Sequence, residues 1–501
     1  MLLKPKRLTT KHPASKMFLF PIETSFSCLL PRVHSRLHMS SHKSKAQIAA
    51  FSLAVALLLT AVQASAQAPE REQLLNGLRL VLLSKPGSQD VLLKLRIHSG
   101  AAFDLTGKSG QMTLLGDILF PDKATIEYFT EMNGRLDVVV NYDSLTITMD
   151  GKAEEFERML DVLRNALVST QLTPDVVTRI RDARLKIIRD TAISPSIVAD
   201  RAVAARLFAD FPYGRPVNGS AEDVLRVDRA DLMLARDRFL NSNNATLTLV
   251  GGVTKSRALR ALRQLLGPRR KSEQVVPSTF RQPIPPDAKT LVISGTGDTA
   301  ELRLAVRGIA RSDPDYYAAS LLAKLVQHRW ETLMPELIKR PTFARSESHF
   351  LPGMFLLGAS VAPQSIPDAI ATAKKTMESL ATGQVTPTEM DRARNEVLTE
   401  LNTLLSKPDA LSDSWLDQDT YRLSDPQPSP GAVINSITPA DVQRLAARLL
   451  NGPAATVVLG DPQQLKTALQ AKVPFEVFGE IAPPVTARPT PPKAVTRPTP
   501  E

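Results

Sequence analysis

The hydrophobic pattern of this chain occurs twice. Asp231-Leu232 to Asn241 carries apolar residues at helical spacing and runs into Thr246-Leu247-Thr248-Leu249. Asp441-Val442 to Asn451 does the same before Thr456-Val457-Val458-Leu459, 210 positions later. Each predicts an amphipathic helix followed by a β-branched strand. A second pair, Thr173-Pro174 with Arg179, Arg181 and Leu185 against Thr386-Pro387 with Arg392, Arg394 and Leu398, is offset by 213. Both open with a Thr N-cap and a Pro in the first helical turn. Leu93-Lys94-Leu95-Arg96 and Leu302-Arg303-Leu304 alternate apolar with polar residues, as strands do, and Met112, Leu115 and Leu119 recur at helical spacing. Two copies of one α/β module follow, expected over 67–266 and 290–480. Between them, 267–289 holds Pro268, Pro277, Pro283, Pro285 and Pro286, which disfavour helix and central strand alike and predict a linker. The Pro/Thr/Arg-rich end, 481–501, has almost nothing to bury and is expected to be disordered or extended.

Composition changes the picture mainly at the front. The chain has 501 residues and a formal charge of +11, which raises the question of nucleic-acid or membrane binding. Yet residues 1–66 alone hold nine basic and one acidic residue, so the remainder is close to neutral. The front segment reads as an export signal: His42, Lys43 and Lys45 precede the apolar run Ala49 to Val62, and Ala64-Ser65-Ala66 is an A-x-A cleavage pattern. A signal beginning at Met39 would be complete, so residues 1–38 are read as an upstream extension and the mature chain as starting near Gln67, in a periplasmic or secreted setting. The apolar run is shorter than the roughly 20 residues that a membrane span needs. Cys28, the single cysteine, lies before the cleavage site, which leaves the mature chain without disulfide, thiol nucleophile or thiolate ligand. The basic residues Lys255, Arg257, Arg260, Arg263, Arg269, Arg270 and Lys271 lack interleaved aromatics and read as a solvated face rather than a nucleic-acid site. Gly107-Lys108-Ser109 lacks the upstream glycine of a phosphate loop and reads as an ordinary loop.

The first half resembles the insulinase/pitrilysin metallopeptidase family along nearly its whole length. The resemblance is carried by Asn76-Gly77-Leu78-Arg79-Leu80-Val81-Leu82 as an opening strand, Ser99-Gly100-Ala101 through Gly107-Lys108-Ser109-Gly110 as the approach to the catalytic helix, Met132-Asn133-Gly134 with Asn141, and Pro212-Tyr213-Gly214-Arg215-Pro216-Val217. The second half, about Thr290 to Pro474, fits the family's second repeat more loosely. The resemblance implies an α+β fold: a clamshell of two homologous lobes, each a mostly antiparallel sheet covered by helices, closing around an unfolded peptide.

It also implies where a zinc site should be. Members of that family carry HxxEH on a helix, with a Glu from a later helix as third ligand, so that zinc keeps an open position for water and the motif's Glu acts as base. On Gly110 to Phe120 these positions fall on Thr113, Gly116 and Asp117, and the third ligand position falls on Lys186. All four are degenerate. Two further positions that help the family hold substrate fall on Ile338 and Arg345. The absence of a motif is independent of the resemblance: only His98, His328 and His349 follow the cleavage site, and no two stand at the spacing of a two-histidine helix motif. His328 and Glu331, three residues apart, could join His349 at a metal, but the plainer reading is a solvated helix end. Asp117 and Lys186 are expected to meet as an ion pair filling the vacant site, unless both point into solvent.

The functional expectation is therefore a non-catalytic member of the family without catalytic residues, metal or cofactor of its own. It would be an exported subunit that shapes the peptide chamber of a heteromeric peptidase whose zinc sits on a homologous partner with intact HxxEH. The alternative is a stand-alone periplasmic peptide-binding or scaffolding protein.

Overall fold

The computed structural model describes residues 68–170, 172–273, 280–335, 342–424 and 428–478. The expected signal segment and Pro-rich tail lie outside these residues. In the first half, β1 (Glu70–Gln73), β2 (Arg79–Ser84), β3 (Asp90–Ile97), β4 (Arg135–Val140), β5 (Leu145–Lys152) and β6 (Ala245–Gly251) form one sheet, in the order β1-β2-β6-β3-β5-β4. The second half builds β7 (Thr290–Ser294), β8 (Ala300–Arg307), β9 (Phe343–Glu347), β10 (Met354–Val361), β11 (Ala454–Gly460) and β12 (Phe475–Val477) into the order β12-β7-β11-β8-β10-β9. Five strands of each sheet correspond one to one. Only the outermost differs, because β1 precedes β2 and runs antiparallel to it, whereas β12 comes from the end of the second half and runs parallel to β7. The run Asn76–Leu82, expected to open the sheet, starts its strand only at Arg79. The earlier β1 has the sequence EREQ, with no apolar alternation to reveal it.

Helices of the first half are α1 (Gln111–Ile118), α2 (Lys123–Glu131), α3 (Phe156–Val168), α4 (Pro174–Thr191), α5 (Pro195–Phe208), α6 (Ala221–Arg226), α7 (Arg229–Phe239) and α8 (Lys255–Leu265). Those of the second are α9 (Tyr316–Leu333), α10 (Ile366–Thr382), α11 (Pro387–Leu405), α12 (Pro408–Thr420), α13 (Pro430–Ser436), α14 (Pro439–Leu450) and α15 (Pro462–Leu469). Their starts are local chemistry. Thr173 accepts from the Val176 N–H at the head of α4, and Thr386 with Glu389 forms a full capping box on α11. Asp228 with Asp231 and Thr438 with Asp441 repeat that box on α7 and α14. Such caps contribute about 1 kcal/mol each by satisfying N–H groups that a helix start leaves orphaned.

The strands of the first sheet are sorted by their alternation. Leu93, Leu95 and Ile97 of β3 point into a core shared with α1, α3 and α7, while Leu92, Lys94 and Arg96 point to the opposite face. That opposite face is also covered, and its cover comes from the other half of the chain. Helix α12 lays Leu411 and Trp415 on Leu83, Leu92 and Val250. Its carboxylates, one helical turn apart, meet the two buried cations: Lys94 Nζ lies 2.8 Å from Asp413, and Arg96 contacts Asp413 and Asp417 at 2.8 and 2.6 Å. The exchange is reciprocal. Helix α5 places Val203, Leu207 and Phe208 against Ala305, Leu356 and Val457 of the second sheet, and its Asp200 binds Arg303, which is 1% exposed. Asp200 and Asp413 are separated by the same 213 residues that relate α4 to α11, so the two ion pairs are copies of one contact.

Candidate functional site

Helix α1 is set by a remote cap. The Asp104 carboxylate accepts the Gly110 N–H at 2.7 Å and the Met112 N–H at 2.8 Å, across the turn that Gly110 makes at φ 91°. Burial pushes the Asp104 carboxyl up to about 7, while these N–H groups pull the other way. Seven of the helix's eight residues are buried, and the eighth, Asp117, is 27% exposed at its side chain.

Each residue of α1 on which the resemblance puts the motif has a structural occupation. Thr113 donates its hydroxyl to the Val217 carbonyl at 2.8 Å, in the loop after Pro212-Tyr213-Gly214. Gly116 lets α1 close onto the edge of the first sheet: a Cβ there would stand 3.2 Å from Val138 Cγ1 and 3.3 Å from Val140 Cγ2 of β4. Asp117 is held by Arg184 of α4, with Nε to Oδ2 at 2.9 Å and Nη2 to Oδ1 at 2.6 Å. Arg184 Nη1 also reaches Asn218 Oδ1 at 3.3 Å. Burial raises the Asp117 carboxyl above its usual range, and the hydrogen bonds and charge of Arg184 oppose that rise.

The expected Asp117–Lys186 pair does not form. Lys186 is 71% exposed at its side chain and binds Asp190 one turn further along α4, at 2.6 Å. Residues 184 and 186 are two apart on a helix and cannot share a face, so only one of them can look at α1. A cation does fill the position facing Asp117, but it is supplied from the neighbouring turn and clamps the carboxylate through two bonds.

The remaining candidates are structural too. Arg345, on the outer strand β9, binds Glu347 at 2.7 Å and Asp200 at 2.9 Å and lies over the Phe343 ring, so it braces the second sheet to α5. Ile338 lies outside the described residues. His328 is no solvated helix end: within α9 it pairs with Glu396 at 3.1 Å and is 16% exposed. Glu331 instead accepts from Gln327 and Thr342. His349 sits elsewhere, against Tyr142, Tyr213 and the buried Asp143 where the loop after β9 meets the first lobe. Lys108 and Ser109 are tied to Asp231 and Asp223, as an ordinary loop would be. Among the described residues, no group of three His, Cys, Asp or Glu side chains stands close enough to hold a metal ion.

Sequence reading missed the setting of His98. It lies in the wall of a cavity of about 190 Å³ between the lobes, with one ring nitrogen 3.0 Å from Thr246 Oγ1 and the other 3.0 Å from Thr420 Oγ1 of α12. A lone His on a strand gives no signal of this, because its partner helix is more than 300 residues away in the chain.

Two sheets that share five of their six strands in one order, each covered by a helix of the other half, define a two-lobed fold of the insulinase kind. Comparison with known proteins agrees. The insulinase (peptidase family M16) model matches residues 79–221, and the peptidase M16 inactive domain model matches residues 226–397. Together they span more than half of the chain, and the chain belongs to the insulinase (M16) family. An uncharacterized zinc protease of Mycobacterium bovis is 22% identical over 432 residues, covering 80% of this chain and 97% of that protein. The mitochondrial-processing peptidase subunit beta of Dictyostelium discoideum is 22% identical over 398 residues, covering 72% and 82%. Among solved structures, a peptidase M16 inactive domain from Pseudomonas fluorescens superposes with a TM-score of 0.70 at 17% identity, covering 79% of this chain and 98% of that one.

Proposed function

We propose that this chain is the exported, non-catalytic subunit of a heteromeric M16 peptidase, shaping the peptide chamber while a homologous subunit with intact HxxEH carries the zinc. The observation that carries this reading is the occupation of α1: Thr113 is bonded to Val217, Arg184 is clamped onto the Asp117 carboxylate, and these, with Gly116, are the residues on which the resemblance puts the motif. A guanidinium fixed there repels a divalent cation, and Gly116 offers no base to a water molecule. A relative that is named as a subunit of a processing peptidase supports the partner.

What this chain contributes is surface. Strand β4 is an edge of the first sheet beside α1, with residues alternating between exposed and half-buried. Its unpaired backbone groups can take an extended peptide as an added strand, a mode that reads backbone more than sequence. The test is to purify the mature chain, quantify zinc, and assay a quenched fluorescent peptide with and without a co-expressed HxxEH-bearing homologue. The expected result is no stoichiometric zinc and no cleavage alone, with enhanced cleavage by the pair. Chelator-sensitive cleavage by the chain alone overturns the reading.

A further inference from the structure

The basic residues between 255 and 271 do not form one solvated face. Lys255 binds Glu70 and Glu72, and Arg257 makes a two-bond pair with Glu157. Arg269 is different: it is 8% exposed, and among the described residues no carboxylate lies within ion-pair reach. Its Nη2 donates to the Leu240 carbonyl at the end of α7, but its buried Nη1 has no hydrogen-bond partner among the described residues. Burial pulls its pKa down to about 10, the direction expected when a cation is desolvated without compensation.

Arg269 lines a cavity of about 300 Å³ together with Arg164 from α3, Arg236 from α7 and Arg270 from the loop after α8. Among the described residues the one acidic side chain in that wall is Asp237, and it is taken up by Arg236 at 3.0 Å. Four arginines against one carboxylate leave an excess of positive charge that a single carboxylate ligand would not balance. A phosphate balances more of it, and its tetrahedral oxygens suit the planar fork of arginine donors. We propose that this cavity, on the helical side of the first lobe and sharing no residue with the α1 site, binds a phosphate group, with Arg164 and Arg270 as its contacts at the mouth and the charge of Arg269 behind them. The phosphate can belong to a soluble phosphorylated molecule or to a phospholipid headgroup.

The experiment uses the purified chain, inorganic phosphate in calorimetric titration at constant ionic strength, and cosedimentation with phosphatidylcholine vesicles with or without phosphatidylglycerol. Arg164→Gln and Arg270→Gln, both at exposed positions, leave folding intact and carry the test. Arg269→Met is read beside them for melting temperature. Inorganic phosphate binding that weakens roughly tenfold in either exposed variant establishes the soluble form. Vesicle binding that needs phosphatidylglycerol and falls in the same two variants, without binding of inorganic phosphate, establishes the headgroup. No binding to either probe, or binding that is indifferent to the arginines, overturns the proposal.

Discussion

Replacing Arg184 by Met removes the cation that Asp117 faces between α1 and α4. Arg184 is 11% exposed at its side chain and Asp117 27%, so the pair is largely desolvated. Removing one partner of a buried pair costs about 3–5 kcal/mol when the other stays charged in the interior. Because Asp117 keeps a quarter of its exposure, about 2–3 kcal/mol is expected for Arg184→Met, with Asp117→Leu similar or smaller since Asn218 still reaches the arginine. The pair itself is worth much less than its rupture: burial already lifts the Asp117 carboxyl despite Arg184, so the carboxylate is held charged at a cost. The double variant Asp117→Leu with Arg184→Met should therefore lose roughly 1 kcal/mol or less, giving a coupling of about 3 kcal/mol. Urea unfolding followed by circular dichroism measures all four proteins. Single-variant losses that add to the double within about 0.5 kcal/mol would show that Arg184 does not clamp α1, and the argument for a filled site would go with it.

Three other outcomes follow from the same geometry. Rebuilding the motif with Thr113→His, Gly116→Glu and Asp117→His should yield no stoichiometric zinc by elemental analysis, because Arg184 still points at the site; Gly116→Glu alone should cost about 1–3 kcal/mol through overpacking against Val138 and Val140. Asp413→Asn takes one carboxylate from two cations that are 6% and 8% exposed, leaving Lys94 with Asp409 and Arg96 with Asp417, and should cost about 1–2 kcal/mol, with a red shift of Trp415 emission in a Trp330→Phe background; Asp200→Asn, which leaves Arg303 with Glu301, should destabilise comparably without moving that emission. The His98 pKa lies well below its usual value, first through burial and then through the charges of Arg79 and Arg96. The unfolded chain thus takes up a proton below about pH 6.5 that the folded chain refuses, so stability is full above that pH and falls as the pH drops, by up to about 1.4 kcal/mol per unit. His98→Gln should flatten denaturation midpoints between pH 6.5 and 5, and an unchanged slope would remove His98 from the account.

What the sequence shows most clearly is whatever repeats. Thr173 and Thr386, or Asp231 and Asp441, announce the same cap at the same place in each half, because capping is settled within four residues. The loss of HxxEH is legible for the same reason, since it is a statement about one helical turn. What replaces the motif is not. Arg184 and Lys186 are equally basic and two positions apart, and only the rotation of α4 against α1 decides which one meets Asp117. Strand β1 escapes because its four residues are held by backbone pairing to β2 and carry no apolar face. Lys94 and Arg303, which alternation alone would send to water, are buried because a helix from the other half covers them, and Arg269 is misread because a run of basic residues does not reveal which one turns inward.

The mutual covering of the two sheets has a consequence for the history and handling of the chain. Helix α5 lies on the second sheet as α12 lies on the first, with Asp200–Arg303 and Asp413–Lys94 as matching contacts. In an ancestral dimer of identical half-length chains, the same arrangement would be a swapped helix and a two-fold interface, in which each copy lends what it borrows. Cutting this chain at 267–289 would therefore not release two independent domains. Each fragment would keep a bare sheet face with a charge in its middle and an unmatched helix, and the complement it needs is the other fragment or a second copy of itself.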